Sequence, residues 1–326
     1  MPDSPGSVRL RDGVEFDLPG RLVVADADEP GGDAAVISHA HADHLPESPA
    51  GRAVCSPLTA RLAGLRREAA PEPAVHPAID LLPSGHIPGS RAAVIEDREG
   101  HRYLYTGDVS VRDRFGLAGF EPVAADTLVI ESTYGRPGYD LPDQAAAESR
   151  IVDWLAETAQ PVLLFGYALG RAQELQLLAE RAGRDRVFVT DAVARLNDPI
   201  EAALDAAFPA REYGEDVELR PGDALVLPTG VRGLPFVSRL REAGAIAAGF
   251  SGWAVDDAFR YRGDYDVTFP LSDHADFGEL VDIVDAVAPD RVYTTHGFTD
   301  ALADALVARG HDAVALKSDQ TVLDEF

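Results

Sequence analysis

AAVISHAHADH, residues 34 to 44, decides how the chain is read. An apolar strand, AAVIS, ends in His39, His41, Asp43 and His44, four potential metal ligands within six residues. At a strand end such a run bends around one centre, with His39 and His41 leaning the same way and Asp43 and His44 turned toward a neighbouring position. Alanine at positions 40 and 42 leaves the loop room to fold tightly. Surface histidines of an ordinary loop are the competing reading, and four ligand types in this order argue against it.

Working outward, three further candidates each follow a strand-like run. His86 lies in SGHIPGS (84 to 90), Asp108 ends YLYTGD, and His296 follows RVYTT and precedes Gly297. Alone, each is as well explained as a hydrogen-bonding turn residue. As a set they provide His39, His41, His86 and Asp108 for one ion and Asp43, His44, Asp108 and His296 for a second, with an oxygen of Asp108 bridging. Two divalent ions, zinc or manganese, at about 3.5–4 Å would activate a nucleophile and neutralise a phosphoryl oxygen. Cys55 is the only cysteine, which excludes thiolate metal sites and an internal disulfide. His76, His101 and His311 lie outside any such motif.

The first third of the chain otherwise consists of short β-branched runs, with a hairpin in AAVIEDREGHRYLYTGD (92 to 108) and one helix near residues 58 to 67. After DTLVIES (126 to 132), helix and strand patterns alternate, as in a parallel sheet with helices on its faces. Gly and Pro cluster at residues 136 to 142, and a second break falls at 261 to 264. The middle segment thus reads as an insertion into a fold that resumes after it.

Acidic residues outnumber basic ones by 55 to 29, giving a net charge of −26, and Lys317 is the only lysine. Such a surface repels nucleic acid at low salt. Because the acids are scattered along the chain, the excess reads as a halophile's solvating surface and not as a partner-binding tail. No apolar run reaches the roughly 18 residues of a membrane span, and residues 1 to 13 lack the apolar core of a signal peptide, so the expectation is a cytoplasmic protein with no membrane partner.

HAHADH, the His of GHIPGS, the Asp of YTGDVS and the His of THG resemble, in order, the metal motifs of the metallo-β-lactamase superfamily. Glu131 in ESTYG, the inserted segment, His274 in SDHAD and the late His296 are similar to features of its β-CASP nucleases. GYALGRAQE (166 to 174), SGW (251 to 253) and SDHADFGEL look most like the short ligase-associated DNA exonucleases, and the chain as a whole also resembles the archaeal mRNA 3′-end processing factor-like proteins. The resemblance covers essentially the whole chain. It implies an α/β fold: a metallo-β-lactamase αββα sandwich in two parts, 1–140 and 264–326, around an inserted β-CASP domain at 141–263. It also implies catalytic roles for Asp43, His274 and Glu131, with His274 donating a proton to the leaving group and Glu131 orienting it.

Gly170 and Arg171 open a helix and are candidates for gripping a backbone phosphate, against the alternative that Arg171 pairs with Glu174. Tyr134, Phe250 and Trp253 are either base-stacking or core aromatics. The expected function is a metal-dependent nuclease, an exonuclease trimming single-stranded DNA ends in DNA repair. RNA 3′-end processing, hydrolysis of a small ester, and non-catalytic nucleic-acid binding are the alternatives. A DNA ligase or helicase partner follows from the resemblance alone.

Overall fold

The computed structural model describes residues 6–48, 51–67, 70–204, 206–214 and 216–317. The chain opens with a six-stranded sheet laid down in sequence order: β1 (Ser7–Leu10), β2 (Val14–Leu18), β3 (Arg21–Ala25), β4 (Ala34–Val36), β5 (Arg52–Val54) and β6 (Glu72–Ala74). In β2 the alternation Val14, Phe16 and Leu18 inward, Glu15 and Asp17 outward, is the period of a sheet with one dry face. Pairing changes from antiparallel to parallel at β3 and β4, so that β4 delivers its C-terminal end, and the histidine run behind it, to one edge of the sheet. Helix α1 (Pro57–Arg66), capped by the Ser56 hydroxyl on the Thr59 N–H at 2.9 Å, follows β5.

A second sheet begins with β7 (Ile79–Pro83), β8 (Arg91–Glu96), β9 (Arg102–Tyr105) and β10 (Thr127–Ser132). Every residue of β10 is buried, as befits a strand covered on both faces. Phe16, Val23 and Val36 of the first sheet meet Ala93, Ile95, Tyr103, Tyr105 and Val129 of the second in one core, where Phe16 lies edge-on to Tyr103 and Tyr105 at 6.1 and 6.2 Å.

After β10 the chain leaves this sheet through α2 (Gln144–Glu157), whose first turn is capped by Asp143. It then builds an all-parallel third sheet from β11 (Val162–Gly166), β12 (Arg186–Val189), β13 (Arg211–Glu212), β14 (Asp223–Pro228), β15 (Ile246–Phe250) and β16 (Val267–Phe269), ordered β13-β12-β14-β11-β15-β16. The helices α3 (Arg171–Arg181), α4 (Asp191–Leu204), α5 (Pro235–Glu242) and α6 (Ala258–Gly263) connect these strands. Separate apolar clusters line the sheet's two faces. The strand at Val267–Phe269, placed by the sequence in the closing part of the fold, pairs instead with β15, because its apolar Phe269 stacks on Phe250 at 5.4 Å. Pro199 sits inside α4, where it forgoes one helical hydrogen bond.

Only then does the chain return to the second sheet, through α7 (Phe277–Val287), β17 (Arg291–Gly297), α8 (Thr299–Ala308) and β18 (Ala313–Ala315). β17 lies parallel to β10, and α7 and α8 cover the outer face with Leu280, Val284, Leu302 and Leu306. A fifth cluster ties the parts together: Leu62 of α1, Ile87, Leu169, and Leu196 and Ile200 of α4. Phe16 is fully buried between the first two sheets, so Phe16→Ala should cost about 3–5 kcal/mol. Urea unfolding followed by circular dichroism would show it, and a loss below about 1 kcal/mol would contradict this packing.

Candidate metal centre

The ligand-type residues gather where parallel strands of the first two sheets end. β4 runs out into Ser38 and His39, β9 into Asp108, β10 carries Glu131 near its end, and β17 carries His296. Open α/β sheets collect ligands at the carboxyl ends of their strands because the connecting loops there converge. The third sheet contributes from the same side: β11 ends beside Tyr167, and β16 leads to Asp273 and His274. One cleft of about 440 Å³ is lined by His41, Asp43, His44, Asp108, His274 and His296, with Arg66, Thr133 and Tyr167 at its walls.

Donor atoms of His39, His41, His86 and Asp108 all lie within 4.8 Å of one another. Each of the three rings has one nitrogen occupied. The His39 Nδ1–H donates to Ser38 Oγ at 2.9 Å, since that hydroxyl itself donates to Asp26. The His86 Nδ1–H donates to the Asp273 carbonyl at 2.8 Å, and the His41 Nε2–H donates to the Leu169 carbonyl at 3.2 Å. The remaining nitrogens, His39 Nε2, His86 Nε2 and His41 Nδ1, therefore present lone pairs. Those of His86 and His41 face each other at 3.1 Å, and His39 Nε2 is buried without a hydrogen-bond partner.

Burial holds all three rings neutral, His39 and His86 well below their ordinary range and His41 down to about 4. Neutral imidazole is the ligating form, and tetrahedral donors at about 2.0–2.1 Å from an ion stand roughly 3.3–3.4 Å apart. Asp108 Oδ2 is 3.4 Å from His39 Nε2 and 3.5 Å from His86 Nε2. Converging lone pairs of this kind are repulsive alone and favourable around a cation, so the residues fit a metal ion.

The second group is looser. His44 Nε2 stands 3.5 Å from the same Asp108 Oδ2 and 4.0 Å from Asp43 Oδ2, while the His296 ring is centred 5.2 Å from that of His44. Asp43 is 82% exposed and lies at the cleft rim. His296 adopts φ 53° and Gly297 φ 80°, a left-handed turn that redirects the end of β17. Burial opposes a charge on His44, yet Asp108 and Asp26 outweigh it and push its pKa up to about 10, so this position attracts positive charge.

Glu131 is fully buried and engaged on both oxygens. It accepts the His274 Nδ1–H at 2.8 and 3.0 Å, the Val109 N–H at 2.7 Å and the Thr133 N–H at 3.2 Å. Burial works against ionisation of Glu131, and His274 with these donors nonetheless holds its carboxyl below the usual range. For His274, burial is likewise outweighed by Glu131 and Asp108, which push it up to about 10. Its Nδ1 is thus tied down on the side away from the cleft it lines.

Gly170 and Arg171 are placed otherwise than expected. The Arg171 side chain is 2% exposed, ion-paired to Glu174 and 3.3 Å from Asp273, and the Gly170 N–H is taken by Gln173 Oε1 at 2.8 Å. Neither offers a donor to a strand in the cleft. The physical reason is α3's burial against β11, where a guanidinium needs carboxylate partners. Gly170 is required by packing: at φ 90°, a Cβ would stand 2.6 Å from Ile87 Cγ2. Arg171 instead braces Asp273, whose carbonyl orients His86.

Four residues at the centre were not singled out from the sequence. Asp26, at the end of β3, accepts the Ser38 N–H at 2.7 Å, the Ser38 hydroxyl, the His44 Nδ1–H at 2.8 Å and the Tyr105 hydroxyl at 2.9 Å. Its only sequence signal is an acid directly after the apolar run RLVVA. Asp273 stands beside the motif histidine and had no independent signal. Arg66 is the single arginine lining the cleft among the described residues, and Tyr167 is 59% exposed with its ring 5.8 Å from that of His41.

A mixed α/β fold that collects these histidines and aspartates at its strand ends places the chain in the metallo-β-lactamase superfamily. Within it, the chain belongs to the β-CASP family. No family model matches. The chain is 35% identical over 298 residues to a protein named "Probable DNA ligase" from Opitutus terrae, covering 87% of this chain and 28% of that one. It is 32% identical over 122 residues to "Probable RNase MJ4" of Methanocaldococcus jannaschii, covering 35% of this chain and 28% of that one. The chain thus spans little more than a quarter of the length of either relative. A crystal structure of a protein of unknown function from Enterococcus faecalis V583 superposes with a TM-score of 0.65 at 13% identity, over 96% of both chains, which shows a shared fold.

Because Asp26 fixes His44 and, through Ser38, His39, Asp26→Ala should weaken metal retention about 10- to 100-fold with the fold intact. Chelator competition measures this directly. Unchanged metal affinity would show that the Asp26 contacts do not orient the ligands.

Proposed function

We propose that this cleft hydrolyses phosphodiester bonds in nucleic acid with two divalent ions, zinc or manganese. His39, His41, His86 and Asp108 would hold one ion and Asp43, His44, His296 and Asp108 the other. The observation carrying the reading is a single carboxylate oxygen, Asp108 Oδ2, within 3.4 to 3.5 Å of three imidazole nitrogens drawn from both ligand groups. Such ions, when bound, supply a nucleophile at neutral pH and neutralise charge developing on a phosphoryl oxygen. The architecture we assign is an αββα metallo-β-lactamase sandwich, with the β-CASP domain inserted from residue 141 to the end of β16.

The chain's own residues supply the proton. His274, held by Glu131 through Nδ1, keeps its Nε2–H for the cleft, and the Glu131 carboxylate favours its protonated form. As the P–O bond breaks, Nε2 donates that proton to the leaving oxygen, and Glu131 stabilises the imidazolium beforehand and its tautomer afterwards. Asp43, at the rim, completes the second group and neighbours Arg66, whose guanidinium would meet the strand's phosphate. Tyr167 offers an exposed ring beside it. Long-range repulsion from the acidic surface is screened to about 3 Å at molar salt, leaving these short contacts to decide binding.

Single-stranded DNA ends are the substrate we favour, in DNA repair or processing and with a DNA ligase as partner, since the relative matched over 87% of this chain carries a ligase name. The ribonuclease name of a shorter match keeps RNA processing as the second reading. End-labelled DNA and RNA of one sequence, offered together, should yield a ladder from the DNA end. His274→Ala should keep its metal while turnover falls about 100-fold or more. Loss of metal in that variant would make His274 a ligand, and metal-loaded protein inert on every oligonucleotide would overturn the nuclease reading.

A further inference from the structure

Beside the metal centre lies a second cavity that no ligand group uses. Tyr134 stands edge-on to His274 at 6.1 Å, Trp253 lies 4.8 Å from Tyr134, Tyr139 lies 5.4 Å from Trp253, and Phe298 stacks on Tyr139 at 5.4 Å. The last three rings, with Phe259, Asp256 and Arg262, line a cavity of about 440 Å³. That volume falls within the range of roughly 300–1,000 Å³ usual for small-molecule sites.

Tyr134 is buried behind the cavity, 3% exposed, whereas Tyr139, Trp253 and Phe298, which line it, are only half-buried around open space. Phe250, weighed with Trp253 from the sequence, belongs by contrast to the apolar cluster on one face of the third sheet. The pocket is also rigidly tied to the catalytic strands. Phe298 follows His296 by two residues and donates its N–H to the Ser132 carbonyl at 2.7 Å, next to Glu131. Trp253 is brought against Tyr134 by Gly252, where a Cβ would stand 2.4 Å from the Tyr134 hydroxyl oxygen.

Charge decides the ligand class. In a chain of net charge −26, two arginines flank these rings: Arg262 lines the cavity, and Arg136 lies 5.0 Å over Tyr139 and 4.9 Å over Phe298. Neither has a carboxylate within ion-pairing reach among the described residues. The one acid of the lining, Asp256, accepts the Ala258 N–H at 2.8 Å at the start of α6. Flat apolar surfaces beside unpaired guanidinium groups suit a planar heterocycle joined to a phosphate.

We propose that this pocket stacks a nucleobase of the strand flanking the scissile bond, with Arg136 and Arg262 on its backbone phosphates. The assignment rests on the phosphodiesterase reading for its substrate, and the pocket would set how far a strand must extend past the cut to be held.

The test is steady-state kinetics of Trp253→Ala and Phe298→Leu on a single-stranded oligonucleotide and on bis(p-nitrophenyl) phosphate, which has no strand to reach the pocket. KM for the oligonucleotide should rise about 5- to 150-fold, the loss expected for one stacked base, with the small diester unaffected. An abasic residue walked along the oligonucleotide should raise the wild-type KM at one position and add nothing in Trp253→Ala. Unchanged oligonucleotide KM in both variants, or a wild type indifferent to abasic sites, overturns the pocket even if the variants fold poorly. Should the wild type cleave no diester, the nuclease reading fails separately. Fluorescence quenching by the oligonucleotide in Trp154→Phe, which leaves Trp253 as the only tryptophan, would then still uphold the pocket, and absence of quenching would dismiss it.

Discussion

Everything at the centre depends on one buried carboxylate. Asp108 Oδ2 lies within 3.5 Å of His39, His44 and His86, while His86 and His41 turn lone pairs toward each other. Burial drives Asp108 toward its neutral form and the first-group imidazoles toward theirs, a cost that a cation among them would offset. The loops reaching it come from β4 of the first sheet and from β9 and β17 of the second, both parallel to β10, which is why a mixed sheet with a late return suits this site.

Orientation is supplied from farther out, and from both halves of the molecule. Ser38 and Asp26 fix His39 and His44 from the first sheet, whereas Leu169 and Asp273, which fix His41 and His86, lie on loops after β11 and β16 of the third. The third sheet is therefore part of the ligand geometry and not only a roof over the cleft. The buried Arg171, paired with Glu174 and Asp273, anchors that coupling. Leaving either carboxylate unpaired there would cost more than the pair contributes.

How much of this was legible depends on how local each signal is. HAHADH concentrates its meaning in six residues, and the convergence of His86, Asp108 and His296 on it was readable because each follows a clear strand. The pairing of Glu131 with His274 spans 143 positions, and only the resemblance linked them. Asp26 was invisible, since an acid after a strand is common and its four donors come from three places in the chain. Arg171 misled for a physical reason. A basic residue opening a helix looks the same whether it faces solvent or is buried, and only the packing of α3 on β11 distinguishes the two. Strand β16 was likewise misplaced because three residues carry too little pattern to declare their sheet.

The central claim is that Asp108 is shared between two ions. Metal content after dialysis, measured by mass spectrometry on wild type and Asp108→Ala with fold monitored by circular dichroism, tests it most directly. The account predicts about two ions per wild-type chain and fewer than one in the variant, because removing the bridging oxygen opens both groups. Two ions retained by a folded Asp108→Ala protein would contradict it.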